Sequence, residues 1–83
     1  KSNNAALAQI LNKDYSKAKS TLAAINNPDA TTYYLMAILG ARTGNEQMLT
    51  SNLRQSIKLD KSMAKKAAND IEFNRFNISS VLN

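Results

Sequence analysis

Eighty-three residues at 9.1 kDa make one small domain with a thin core. The absence of Cys, His and Trp excludes disulfides, Cys/His zinc sites, haem ligation through His, and any Ser-His or Cys-His nucleophile pair. Net charge is +5, alanine and asparagine are abundant, and two glycines with one proline supply too little turn material for a many-stranded β protein.

In chain order, every segment between breaks carries a period near 3.6 rather than 2, so each predicts a helix. The first, at 4–12, offers Leu7, Ile10 and Leu11 on one face. The second, at 15–26, repeats at Ala18, Leu22 and Ile25. The third, at 30–43, is apolar almost all round and is predicted to be the most buried. The fourth, at 46–59, presents Leu49, Leu53 and Ile57 beside Met48. The fifth, at 61–75, lines up Ala64, Ala67, Ala68 and Ile71 against lysines and acids. Asp14, Asp29, Asn45 and Asp60 stand where they can cap the helices they precede, and Gly44 where a left-handed residue would end the third. Breaks this short imply antiparallel neighbours. The longest apolar stretch, 33–41, is about half of the ~18 residues that suggest a bilayer span. The N-terminus has no sustained apolar region of a signal peptide. It lacks an initiator Met, so the chain is expected to begin inside a longer precursor.

The two hairpins echo one another. Lys13-Asp14-Tyr15-Ser16-Lys17-Ala18, followed by Leu22 and Ile25, is spaced like Gly44-Asn45-Glu46-Gln47-Met48-Leu49, followed by Leu53 and Ser56. Helix–turn–helix units at this scale suggest tetratricopeptide repeats, whose period is about 34. The offset here is 31 (Lys13 to Gly44), so the first unit is short by about one helical turn around Asn26-Asn27. The stretch 30–61 resembles such a repeat nearly end to end. Tyr33 stands at its aromatic position, Met36 and Ala37 at the Leu-Gly pair, Thr43-Gly44-Asn45 at the turn, and Leu49, Leu53 and Ser56 at the packing positions of the second helix. Three residues depart from the family pattern: Gly40 replaces a large aromatic, Leu49 a small Ala, and Lys61 the closing Pro. The resemblance implies an all-α fold, a short right-handed solenoid of antiparallel hairpins with about five helices. Its units are expected at 3–29 and 30–61, with a capping helix at 62–76 and a tail at 77–83. The phrasing from Ala18 to Ile25 and from Thr31 to Ala37 is also similar to repeat segments of bacterial envelope or secreted proteins, which tilts localisation that way.

Function follows from what remains after exclusion. Of six carboxylates, Asp14, Asp29 and Asp60 sit at helix starts and Glu46 in a first turn. Asp70 and Glu72 are two apart on a predicted helix and point in different directions, so no paired-carboxylate site forms. No enzyme, cofactor or metal site is expected. The eleven basic residues are scattered along the chain without the dense stripe and stacking aromatics of a nucleic-acid surface.

In the tetratricopeptide pattern, the first helix of each unit lines a concave groove. The resemblance places Asn3, Leu7 and Ile10 there from the first helix, Tyr34, Ile38 and Arg42 from the third, and Lys65, Glu72 and Arg75 from the fifth. Tyr, Arg and aliphatic groups suit protein contact. The expected function is therefore a non-catalytic module that binds a peptide or a neighbouring domain. A rival is a purely structural C-terminal segment of a longer solenoid, and a third reading is non-specific polyanion binding. The family's basic-and-Asn clamp for C-terminal carboxylates is absent, because Tyr34 and Ile38 occupy its places. The first helix carries apolar side chains on more than one side, so it is expected to be covered by a preceding helix, or to self-associate.

Overall fold

The computed structural model describes residues 1–83. The chain is all-helical: α1 (Asn3–Leu11), α2 (Tyr15–Ala23), α3 (Ala30–Arg42), α4 (Glu46–Leu59), α5 (Ser62–Ala68), a 3₁₀ turn (Ile71–Phe73) and α6 (Ser79–Leu82). No helix is long and apolar enough to cross a membrane.

Local chemistry accounts for the helix ends. The Ser2 hydroxyl accepts the Ala5 N–H and starts α1. Asp29 accepts the Thr32 N–H while the Thr32 hydroxyl accepts the Asp29 N–H, a reciprocal capping box that starts α3. Asn45 caps α4 through the Met48 N–H. The carboxylate of Asp60 accepts both the N–H and the hydroxyl of Ser62 at the start of α5. Asp14 departs from expectation: its side chain makes no capping bond to α2.

Two helices end alike. After α1, Lys13 takes a left-handed conformation (φ 63°), its N–H reaches Ile10 O, and the Asp14 N–H reaches Gln9 O. After α3, Gly44 (φ 72°) repeats the pattern, its N–H reaching Ala41 O and the Asn45 N–H reaching Gly40 O. Both are Schellman closures, which satisfy carbonyls the helix leaves open.

The core gathers around α3, which contacts α1, α2, α4 and the 3₁₀ turn. As its composition predicts, α3 is the most buried helix, enclosing Leu35, Ala37, Leu39 and Ala41 almost completely. It meets α4 at very short range. A Cβ on Gly40 would lie 2.6 Å from the Leu49 backbone nitrogen and 2.9 Å from Asn45 O. Fully buried Leu49 and Leu53 fill the space beyond, and buried Ser56 donates to Ala30 O at 2.7 Å.

The C-terminal quarter corrects the expectation of one helix over 61–75. α5 stops at Ala68, and the Asp70 carboxylate accepts the Glu72 N–H to begin the 3₁₀ turn. The physical reason is Phe73. It is 2% exposed in the core, whereas Ile71, which a continuous helix would turn inward, is 81% exposed. Six residues beyond Ala67, a straight helix would carry Phe73 some 120° away from the inward face. The break brings it round. Residues 77–83, expected as a tail, instead carry α6, which packs on α4 and α5 and buries Ile78 and Val81.

Candidate functional site

The most enclosed concavity is a cleft of roughly 300 Å³. One wall comes from α1 through Asn3, Asn4 and Leu7. The floor comes from α3 through Thr31, Tyr34, Leu35 and Ile38, the i, i+3, i+4, i+7 stripe of one helical face. The other wall comes from Met63 and Lys66 of α5, with Asp70 and Glu72 beyond it.

The top of the α1 wall is fixed to α3 by a polar knot. The Asn3 amide donates to Asp29 Oδ1 at 3.0 Å, and the Thr32 hydroxyl donates to Asn3 Oδ1 at 2.8 Å. Asp29 is held below the usual carboxylate range, chiefly by the Thr32 N–H and then by the Asn3 amide.

The far wall is fixed by two ties from α3. The Tyr34 hydroxyl donates to Asp70 Oδ2 at 2.7 Å, and its ring meets Phe73 edge-on with centroids 5.5 Å apart. Burial, then the bond to Asp70, pushes the Tyr34 hydroxyl far above its ordinary value, so it remains a neutral donor. Arg42 holds Glu72 in a two-pronged pair, with Nε 3.0 Å from Oε1 and Nη2 2.7 Å from Oε2. Its third nitrogen donates to Ile10 O at 3.2 Å and lies 3.5 Å from the Tyr15 hydroxyl. The bonds to Glu72 and then Tyr15 raise the guanidinium further above its ordinary value. One side chain thus joins the end of α1, the start of α2 and the 3₁₀ turn to α3.

Of the predicted groove residues, Asn3, Leu7, Tyr34, Ile38 and Glu72 come together in this cleft. Tyr34, at 3% exposure, offers it little surface and serves mainly as core. Ile10 does not line it, being buried in the core. Arg42 and Arg75 border a separate shallow hollow with Ala41, Ile71 and Glu72. Lys65 lines neither; Lys66 faces the cleft instead, because one residue turns a helix by about 100°. Sequence reasoning also passed over Leu35, Met63 and Asp70. Met63 lies three residues before Lys66, and that spacing was the available signal for the α5 wall.

No three carboxylates gather closely enough to hold a metal ion. Comparison with protein-family models, curated proteins and solved structures finds no match to this chain.

Proposed function

We propose that the chain is a non-catalytic interaction module of tetratricopeptide-like design, whose cleft binds an extended or helical peptide. The observation that carries this reading is the cleft's parentage: its walls come from α1, α3, α5 and the turn after α5, while α2 and α4 contribute nothing. That alternation is the one expected of stacked hairpins that turn their first helices towards a groove. The matched closures at Lys13 and Gly44, 31 residues apart, support a repeat of two hairpins. The carboxylates support the absence of catalysis. Asp29, Asp60 and Asp70 accept backbone N–H groups at helix starts, and Glu72 pairs with Arg42.

The test is peptide binding followed by amide shifts in two-dimensional NMR. Shifts should concentrate at Asn4, Leu7, Thr31, Ile38 and Lys66, and Leu7→Glu should abolish binding without lowering the melting temperature. Shifts spread over α2 and α4 instead would remove the reading.

A second reading is favoured by the outer side of α1. Leu11, turned away from the cleft wall, is 64% exposed, while Ala6 and Ile10, on the face turned to the core, are buried. On this reading the outer side stacks against another helical unit or a second copy. Sedimentation separates the two: a concentration-dependent dimer abolished by Leu11→Lys supports stacking, and a monomer at all concentrations excludes self-association.

A further inference from the structure

Resting on the reading of the cleft as a peptide groove, we infer that its ligand is an acidic segment with an adjoining aliphatic side chain, the carboxylate meeting Lys66 and the aliphatic group meeting Leu7, Ile38 and Met63. The argument begins with which charges in the cleft are free. Both oxygens of Glu72 are occupied by Arg42. Both oxygens of Asp70 are occupied, one by the Tyr34 hydroxyl and the other by the Glu72 N–H. Lys66 has neither a hydrogen bond nor an ion pair; its ammonium stands 5.2 Å from the Tyr34 ring centroid. The ring steadies the cation by its face without using its three N–H donors. Each of those carboxylate oxygens already accepts a bond, although Asp70, whose partners are neutral, keeps its charge. The N–H donors of Lys66 are the ones with no partner in the protein, and a carboxylate satisfies them best.

The rest of the chain favours the same sign. Arg42–Glu72 is the one ion pair, so ten of the eleven basic residues have no carboxylate partner, and the net charge is +5. Such a field attracts acidic partners and repels basic ones. A polypeptide is favoured over nucleic acid because aliphatic side chains (Leu7, Leu35, Ile38 and Met63) share the lining with two carboxylates, and the two aromatic rings are closed off. Tyr34 is 3% and Phe73 2% exposed, so bases find no face on which to stack.

A displayed library of random 12-residue peptides, fused through their C-termini so that no terminal carboxylate takes part, tests this on the whole 83-residue chain. Selection should enrich Asp or Glu within a few positions of Leu, Ile, Val or Met. A fluorescent, C-terminally amidated copy of the winning peptide should lose about fivefold in affinity to Lys66→Gln. It should bind Lys66→Arg within about twofold of the parent, and be unaffected by Lys19→Gln, which removes the same charge elsewhere. Selection on Lys66→Glu should turn the preference towards Lys or Arg.

Enrichment of uncharged apolar peptides that ignore Lys66 overturns the acidic preference and leaves the groove standing. Failure to enrich any peptide beyond an unrelated helical protein overturns both. Equal binding of poly-glutamate or a single-stranded DNA oligonucleotide, weakened alike by Lys19→Gln and Lys66→Gln, means diffuse attraction of polyanions and overturns the inference.

Discussion

The first hairpin, α1 with α2, and the second, α3 with α4, close with the same hydrogen bonds but differ in what surrounds them. Each helix of the first pair has nine residues and encloses two of them, whereas α3 alone encloses eight. The second pair is flanked on both sides, by α1 and α2 and by α5, α6 and the 3₁₀ turn. The turn residues differ accordingly. Lys13 bears a left-handed conformation that Gly44 accepts freely, and no neighbour lies within 4 Å of a Cβ at Gly44. Gly40 is the opposite case, required for close approach of backbones and not for φ. A similar turn can thus be written with different residues, while the density of the surroundings is set by position among the packed helices.

The largest expected effect tests that density. Leu22 and Leu53 stand at matching places, 31 apart, and both are fully enclosed. Leu53→Ala should destabilise the chain by about 4 kcal/mol and Leu22→Ala by about 2.5 kcal/mol in urea unfolding, because α2 has fewer neighbours. Equal losses would mean that the hairpins are packed alike. Next comes Gly40→Ala, which should cost roughly 3 kcal/mol by forcing α3 from α4, against about 1 kcal/mol for Gly44→Ala. The reverse ranking would show that turn conformation, not helix approach, limits the second hairpin.

Arg42→Met should cost about 2 kcal/mol, since it leaves Glu72 without its partner and frees the end of α1. Amide exchange should then quicken in both the first hairpin and the 3₁₀ turn. Exchange confined to one of them would deny that Arg42 links the two. Lys13→Gly should raise stability by about 0.7 kcal/mol through relief of the left-handed strain, which thermal melts can resolve.

The smallest effect is one of pH. Asp29 has a folded-state value below its ordinary 3.8, so its contribution is present above that value and is lost as pH falls through the lower, folded-state one. Asp29→Asn should flatten the acid limb of the stability profile below about pH 4. With no histidine, the profile between pH 5 and 8 should be level. A transition near pH 6.5 would contradict that.

Much of the candidate site was legible as a list of residues but not as roles. Leu7 and Ile38 were placed in a groove by the repeat resemblance, and the structure sets them on the wall and floor of the cleft. Tyr34 and Arg42 lie on the same stripe of α3, yet one is core and the other a brace. Their partners, Asp70 and Glu72, lie 36 and 30 residues away, and no local pattern announces such pairings.

The sequence by itself determined the helical class, the boundaries of the first four helices to within about three residues, and the caps at Asp29, Asn45 and Gly44. These depend on side chains and backbone groups within one or two turns of each other, so their energies are set locally. The tertiary structure alone decided where α5 ends, that Phe73 replaces Ile71 in the core, and that residues after 76 fold back as α6. It also decided that Lys66 and not Lys65 faces the cleft. Asn69 and Asp70 make the helix easy to break there, but the break itself follows from Phe73 and Val81 entering space left by α3 and α4. Burial of apolar surface is non-directional and long in sequence reach, so it settles outcomes that helical periodicity leaves open.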